Sequence, residues 1–381
     1  MDFNWNATEK ELLSNLADKI ENAVNPLLAL RKEDGLFTAE EWRALGDTGI
    51  LGLSAPKEFG GQGLGATNTA MLFEALGLKC HDMGLVFASG AHLFASVMPI
   101  SEFGGDDLKK HFLPRLIAGE LAGANAASEE NSGSDLFSME TVFEKNDDQY
   151  VISGEKNYVA NAPNSDLFMV YAGMKKAPGF FGTSAFLVER NTPGITIQEP
   201  FEMIGLRSMQ ACKVTFDNCK VPVEHLLGSE GQGGIIFNRS MQWERLGLYA
   251  GYVGAMEKDL SETIRQAKKR KQFGKKVSRQ QAVSHKIVDM KIRLESAKLL
   301  LYKACCKFDE GQNALLETSL AKIAVSEAAV QSGIDSMSIF AGAGYLQEAG
   351  VTQRLNDALA TLSASGTPGM LREIAAVELK L

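Results

Sequence analysis

The sequence has few cysteines and no long unbroken apolar run, and each shortage excludes a class of protein. Its 381 residues include five cysteines, an odd number with two adjacent at Cys305 and Cys306, which favours free thiols over a disulfide framework. No succession of about 18 apolar residues is found, and no basic segment followed by an apolar run opens the chain, so neither a membrane span nor a secretion signal is expected. We therefore expect a cytoplasmic protein without a membrane partner.

The sequence also lacks an excess of positive charge. Lysine and arginine number 39 against 47 aspartates and glutamates, giving a net charge of −8, which argues against a nucleic-acid-binding protein. Hydrophobic residues make up 45% and charged residues 23%, as in ordinary globular proteins. A chain of 381 residues exceeds the size of one hydrophobic core, so two or three packed regions are expected.

Common catalytic motifs are missing from the sequence as well. It contains no His-Glu-x-x-His, Cys-x-x-Cys, Gly-x-x-x-x-Gly-Lys-Ser/Thr or Gly-x-Ser-x-Gly pattern, and its five histidines are scattered without ligand-like spacing. The glycines of residues 61–65 approach a dinucleotide fingerprint but follow no predicted strand, so they indicate a loop. We expect no metal site, no P-loop and no hydrolase triad.

The hydrophobic pattern changes twice along the chain and predicts three regions. Residues 1–122 show helical spacing, residues 123–228 contain short β-type runs with turn residues between them, and residues 229–381 return to helical spacing. The predicted strands are 141–144, 149–153, 167–172, 183–189, 195–198 and 213–217, and the predicted long helices are 235–271, 279–310 and 314–338.

Five segments in fixed order then carry a resemblance. They are 126–135, 154–161, 205–208, 270–274 with Gln281, and 340–345 followed by Gly366 and Thr367. With them the chain resembles the acyl-CoA dehydrogenase family of flavoproteins. The resemblance implies a mainly α protein with a central β domain: an N-terminal helical domain (1–122), a β-barrel-like middle domain (123–228) and a C-terminal four-helix bundle (229–381). It also implies FAD as the cofactor.

The resemblance assigns cofactor-binding positions. It implies that Ser128 contacts the flavin ring, that Ser134 lies between cofactor and substrate, and that Tyr158 flanks the flavin, whereas Ala160 replaces a hydroxyl that the family usually has near flavin N5. From the residues alone, residues 128–135 are equally well a polar turn. The full set of implied FAD-binding residues is Ala126, Ser128, Ser134, Tyr158, Ala160, Arg270, Phe273, Gln281, Gly342, Thr367 and Gly369.

One part of that set implies an oligomer. In the family, the positions of Arg270, Phe273 and Gln281 reach the FAD of a neighbouring subunit, so the resemblance implies a homotetramer or at least a dimer. From the residues alone, the basic cluster 268–276 is more often a solvated helix face.

The catalytic base distinguishes branches of the family. Most members place a glutamate immediately before the C-terminal Gly-Thr pair, but this chain has Ser365 there, and a serine alone cannot abstract an α-proton near pH 7. Some members carry the glutamate early in the C-terminal domain, before an arginine, where this chain has Glu244 and Arg245. Without the resemblance, this pair reads as an ordinary helix-surface pair. The resemblance therefore makes Glu244 the expected base.

The substrate expectations also rest on the resemblance. The chain is most similar to the branch, of anatoxin-type and other natural-product pathways, that oxidises L-proline held as a thioester on an acyl or peptidyl carrier protein, and Val377 stands where CoA-binding members have an arginine. Electrons would pass to a flavoprotein or to dioxygen. Trp243 and Tyr249 could narrow the cavity or simply be core residues. The expected substrate-binding residues are Ser134, Trp243, Arg245 and Gly366.

Two alternatives stay open at this point. One is a short- or branched-chain acyl-CoA dehydrogenase. The other is a flavin-bound protein without catalysis, which would follow if Glu244 pointed away from the site.

Overall fold

The N-terminal region is helical, as the spacing of its apolar residues predicts. The computed structural model describes residues 5–31, 35–175 and 179–381. Capping boxes begin two of the helices, at Asn6 and at Thr38, whose side chains accept backbone hydrogen bonds while a glutamate three residues on returns one. The helices are α1 (Ala7–Lys19), α2 (Asn25–Leu28), α3 (Ala39–Asp47), α4 (Ala66–Lys79), α5 (Met83–His92), α6 (Met98–Phe103) and α7 (Asp106–Ile117).

Helices α5 and α6 join through a π-helical segment, Leu93–Val97, into one apolar stretch. By length and composition Met83–Phe103 could cross a membrane, but 94% of its apolar window is buried inside the protein, as in a core helix. His92 is fully buried in this stretch, where its Nδ1 accepts a hydrogen bond from Gly123 N (3.0 Å) and its Nε2 contacts Leu116 O (3.2 Å). The stretch thereby holds the start of the middle region.

The middle region is a sheet with the order β6-β7-β3-β2-β4-β5-β8, and β1 pairs in parallel with β4. All six predicted strands are confirmed, with longer β3 and β7, while β1 and β8 were not predicted. The strands are β1 (Gly123–Ala126), β2 (Val142–Asn146), β3 (Gln149–Ala160), β4 (Leu167–Met174), β5 (Thr183–Glu189), β6 (Ile195–Ile197), β7 (Ala211–Pro222) and β8 (Leu226–Leu227).

Strand β4 is buried on both faces because the sheet encloses one core and rests on another. Phe168 and Val170 point into the core inside the sheet, whereas Met169 and Tyr171 belong to the core shared with the helices. This alternation follows from the two-residue period of a strand. It places the Tyr171 side chain among the helices.

The C-terminal region is a bundle of long helices, and the three predicted ones are confirmed with ends displaced by at most two residues. A short hairpin lies between the first two. The elements are α8 (Gly233–Lys269), β9 (Lys271–Gln272), β10 (Lys275–Lys276), α9 (Gln281–Asp309), α10 (Leu315–Phe340), α11 (Val351–Leu359) and α12 (Pro368–Glu378).

Helix α8 packs very closely on α4. A Cβ added to Gly254 would lie 1.9 Å from the carbonyl oxygen of Glu74, and one added to Gly77 would lie 1.9 Å from the carbonyl oxygen of Gly251. Backbones this close leave no room for any side chain. The contact fixes α8, which carries Glu244, against the N-terminal helices.

Candidate active site

The carboxylate of Glu244 lies inside the protein and is bonded to Ser365. Glu244 is on α8 with 6% of its surface exposed, and the hydroxyl of Ser365 donates a hydrogen bond to its Oε1. The two residues are 121 positions apart in the chain. The structure therefore joins the expected base to the serine at the position where most of the family has its glutamate, and Glu244 is not a helix-surface residue.

The surroundings of Glu244 favour a base that titrates closer to neutrality than an exposed glutamate. Burial raises the pKa of its carboxyl above the ordinary value, and this effect outweighs the hydrogen bond from Ser365 and the positive charges of Arg245 and Lys322, which all lower the pKa. A carboxylate with a raised pKa is a stronger base once ionised.

The loop that presents Ser365 (residues 361–367, here the Ser365 loop) is held through its backbone carbonyls. Arg245 Nε donates to Ser365 O (2.9 Å), and the Tyr249 hydroxyl donates to Ala364 O (2.9 Å). Ser365 itself has a φ of +56°, a left-handed conformation that is strained for a residue other than glycine. Such strain persists only where the surroundings hold the backbone in place.

Arg245 lies beside Gly366 as well as Ser365. A Cβ added to Gly366 would be 3.3 Å from Arg245 Nη2. Two of the expected substrate-binding residues therefore meet at the site of Glu244. Tyr249, which the sequence left open either as a cavity residue or as core, joins the same site through the Ser365 loop.

Trp243 is placed differently. Its indole Nε1 donates to Glu102 Oε1 (2.8 Å), and its ring packs near Phe94 and Phe308, with centroids 6.4 and 5.0 Å away. Consecutive side chains on a helix diverge by about 100°. The structure thus places Trp243 in the core between α6 and α9 and does not bring it to the Ser365 loop.

Tyr171 is a residue of this region that sequence reasoning missed. Its hydroxyl is fully buried and has no hydrogen-bond partner among the described residues. The ring packs edge-on against Phe237 of α8 (5.4 Å between centroids), and the charge of Glu244 helps burial to raise the pKa of the tyrosine. Nothing in the local pattern of β4 distinguishes this tyrosine from a core residue.

A second group of expected residues lies at the end of β1 and on β3. The backbone N–H of Asn157 donates to Ser128 O (2.8 Å), which brings the Ser128 segment beside Tyr158. The pairing of β3 with β7 shifts register between Lys156 and Val159, and Tyr158 there has a φ of +57° and 62% of its surface exposed. This bulge turns the tyrosine ring out of the sheet.

This group fits the ring and phosphates of a flavin nucleotide. The exposed Tyr158 ring offers an aromatic face, and Ala126 and Ala160 are small residues at the ends of their strands. Ser134 is exposed, and no heavy atom lies within 4 Å of a Cβ added to neighbouring Gly133, so the segment leaves open space. Thr367 caps α12 by accepting a hydrogen bond from Met370 N (3.1 Å), with Gly369 exposed beside it.

The Ser128 segment is braced by Lys156, which sequence reasoning also missed. Lys156 is fully buried, and its Nζ donates to Ala127 O (2.9 Å) and to Glu129 Oε1 (2.8 Å). Its burial lowers the pKa to about 8 against the opposing effect of Glu129. A buried ion pair with further hydrogen bonds fixes this segment firmly.

The remaining expected residues lie on the surface. Arg270 Nη1 donates to Phe340 O (3.0 Å), which places it at the end of α10 close to Gly342 in sequence. Phe273 is 92% exposed at the β9–β10 hairpin with a φ of +52°, and Gln281 and Gly342 are exposed.

A cavity next to the bundle helices, and the lack of a metal-binding cluster in the described part of the chain, complete the description of the site. A cavity of about 320 Å³ lies between α4, α8, α10 and α11, lined among others by Tyr252, Met256, Arg354 and Asp357, and Glu244 is not part of its lining. Within residues 5–31, 35–175 and 179–381, no group of three or more His, Cys, Asp or Glu side chains is arranged to hold a metal ion.

Three family models match successive parts of the chain. They are "Acyl-CoA dehydrogenase, N-terminal domain" over residues 6–120, "Acyl-CoA dehydrogenase, middle domain" over 124–219 and "Acyl-CoA dehydrogenase, C-terminal domain" over 231–380.

Similar proteins cover the whole chain. An L-prolyl-[peptidyl-carrier protein] dehydrogenase of Pseudomonas fluorescens is 44% identical over 100% of both chains, and one of a Serratia species is 37% identical over 100% of this chain and 99% of its own. Among solved structures, PigA with FAD and proline has a TM-score of 0.97 at 36% identity over 100% of both chains. The prolyl acyl carrier protein oxidase AnaB has a TM-score of 0.95 at 36% identity, covering 99% of this chain and 100% of its own.

Proposed function

The chain belongs to the acyl-CoA dehydrogenase family, and on that premise we propose that it oxidises L-proline held as a thioester on a peptidyl carrier protein, with FAD as cofactor. The product is a dehydroprolyl, pyrroline-type thioester. The observation that carries the proposal is the buried Glu244, hydrogen-bonded by Ser365, in a chain that matches prolyl-carrier-protein dehydrogenases from end to end.

FAD is the cofactor that the relatives support, since PigA was solved as an FAD complex. Ala126, Ser128, Tyr158 and Ala160 would hold the flavin ring, and Ser134 would lie between cofactor and substrate. When bound, the flavin supplies the acceptor for a hydride.

Glu244 would take the α-proton of the prolyl thioester. The thioester carbonyl acidifies this proton, and a buried carboxylate of raised pKa is suited to remove it. Arg245 and the Ser365 loop hold the Glu244 carboxylate in one orientation. This orientation matters because the proton and the hydride leave adjacent atoms of the proline ring. The bond between Glu244 and Ser365 supports catalysis over the alternative of a flavin-bound protein without a base.

The carrier protein is supported over free CoA as the bearer of the substrate. The relatives at 44% and 37% identity act on a peptidyl carrier protein, whereas a butyryl-CoA dehydrogenase of Megasphaera elsdenii is 31% identical in its solved structure. Val377, at the position of an arginine in CoA-binding members, is 73% exposed on α12 and offers no charge to a CoA phosphate.

We further propose that the protein works in the cytoplasm as a homotetramer. The exposed Phe273 and its neighbours would be covered by a second copy, whose bound FAD they would reach together with Arg270 and Gln281. All five cysteines are free, and all but Cys306 are buried, which suits a reducing compartment. The proposed final electron acceptor is a flavoprotein or dioxygen.

Anaerobic reduction of the bound flavin tests the proposed function. The purified protein is mixed with prolyl-carrier protein in one cuvette and with isovaleryl-CoA in another, and the absorbance of oxidised flavin is followed. We expect rapid bleaching by the prolyl thioester alone, lost in Glu244→Gln. Bleaching by the CoA ester would instead identify an acyl-CoA dehydrogenase, and bleaching by neither would identify a protein without this activity.

A further inference from the structure

Lys322 is a buried residue whose ammonium group donates two hydrogen bonds to the loop beside the expected base. It lies on α10 and is fully buried. Its Nζ donates to Thr361 O (2.7 Å) and to Gly366 O (2.6 Å). These distances are at the short end for nitrogen donors, as in hydrogen bonds from a charged group. The ammonium therefore clamps both ends of the segment that contains Ser365.

This clamp bears directly on the geometry of Glu244. Ser365 holds its left-handed conformation between the two clamped carbonyls, and from there its hydroxyl donates to the Glu244 carboxylate. Without the clamp, the Ser365 loop loses the two bonds from Lys322. The anchors that remain are those from Ser326 to Thr361 O, from Tyr249 to Ala364 O and from Arg245 to Ser365 O. The orientation of the donor to Glu244 thus depends on Lys322.

The charge of Lys322 acts on the same carboxylate. Burying an ammonium group without a carboxylate in direct contact is unfavourable. The negative charge of Glu244 nearby partly offsets this cost for Lys322. The titratable groups that face it and Glu244 are Arg245 and Tyr249 on α8 and Tyr171 on β4. Of these, only Arg245 adds a second positive charge.

The two charges shift each other's titration in opposite directions. Burial, and then the charge of Arg245, lowers the pKa of Lys322 to about 7, and Glu244 opposes that shift. In return, Lys322 lowers the pKa of Glu244. The ionised base and the charged lysine therefore support each other near neutral pH.

We propose that Lys322 is a positioning residue for the base: it fixes the loop that aims Ser365 at Glu244, and it supplies a positive charge that keeps Glu244 ionised. The inference rests on the proposed function for the role of Glu244. It concerns a fully buried lysine that acts through Ser365 and through its charge near the carboxylate.

The pH dependence of flavin reduction tests this proposal. We expect Lys322→Gln, which keeps a donor but removes the charge, to move the acid limb of the rate constant for flavin reduction by prolyl-carrier protein to higher pH. Lys322→Arg keeps the charge and should restore the limb. Ser326→Ala is the matched control, because Ser326 also donates to Thr361 O (3.1 Å) but carries no charge, and it should leave the limb in place.

Two results would overturn the proposal. One is an unchanged limb in Lys322→Gln, and the other is the same displacement in Lys322→Gln and Lys322→Arg, which would reduce Lys322 to a structural role. If Lys322→Gln does not fold, the proposal is tested with Lys322→Arg. An acid limb at the wild-type pH supports the role of the charge, and a displaced acid limb contradicts it.

A stability measurement separates this inference from the proposed function. Thermal unfolding midpoints are compared for Lys322→Gln in the wild-type background and in the Glu244→Gln background, with no substrate present. Coupling of the two charges predicts a larger loss in the wild-type background, whereas equal losses would contradict it. If the prolyl thioester fails to bleach the wild-type flavin while this coupling is found, only the proposed function is lost.

Discussion

Replacing Ser365 with alanine removes the hydrogen bond to the expected base and leaves the rest of the site in place. The bond joins a hydroxyl to a buried carboxylate, and a hydrogen bond to a charged group is worth about 1.5–3 kcal/mol. Since a pKa difference of one corresponds to about 1.36 kcal/mol, the loss of this bond raises the pKa of Glu244 by about 1–2.

The direction of the change in the pH profile follows from the protonation state in which Glu244 acts as a base. A base must be ionised, so raising its pKa moves the acid limb of the rate to higher pH by the same amount, about 1–2 pH units. On the acid side of the limb the rate changes about tenfold per pH unit, so the variant is slower there by about 10–100-fold. Above the new pKa, the rate recovers, because the substitution removes no base.

The assay is the pH profile of anaerobic flavin reduction by the prolyl thioester. Ser363→Ala is the matched control. Ser363 is an exposed residue of the same loop, and its hydroxyl donates to Ala360 O (3.2 Å) instead of to the base. An acid limb that is the same in Ser365→Ala as in Ser363→Ala and the wild type would refute the reasoning.

Three further substitutions, the first with a matched control, test the packing and charge around the site, each by denaturant unfolding. Gly254→Ala should destabilise by about 1–3 kcal/mol because its Cβ meets the Glu74 carbonyl, while Gly342→Ala, with open space around it, should be neutral. Lys156→Met should cost about 3–5 kcal/mol by leaving the Glu129 carboxylate buried without its partner. Tyr171→Phe should raise the free energy of unfolding by about 1 kcal/mol because it removes a buried hydroxyl that has no partner in the described part of the chain. A lower free energy of unfolding would instead reveal a partner.

Strands and helices with a strong local pattern could be predicted from the sequence. Strand β5, Thr183–Glu189, was predicted with its observed ends, because an apolar run of β-type residues lies between turn residues. Strand β1 was not predicted because the residues of Gly123–Ala126 have low strand propensity. This segment forms a strand by pairing with β4, which is a tertiary contact. The domain boundaries placed after residues 122 and 228 stay a prediction.

The site was accessible to sequence reasoning only in part. The motif order pointed to Glu244, and the serine at position 365 indicated a missing base. That Ser365 donates to Glu244 across 121 residues is a tertiary contact without local signal. Lys322 and Tyr171 lie inside regular apolar patterns, so nothing in the sequence separates them from core residues. Trp243 was expected to bind substrate because it precedes Glu244 in the sequence. Neighbouring residues on a helix point in different directions, and Trp243 instead contacts Glu102.

An isotope measurement tests most directly that Glu244 takes the α-proton of a prolyl thioester. Prolyl-carrier protein carrying deuterium at the prolyl α-carbon is mixed anaerobically with the flavin-loaded protein, and the rate of flavin bleaching is compared with that of the unlabelled thioester. The structure predicts slower bleaching with deuterium in the wild type and loss of bleaching in Glu244→Gln. Bleaching at the wild-type rate in Glu244→Gln would contradict this assignment of the base.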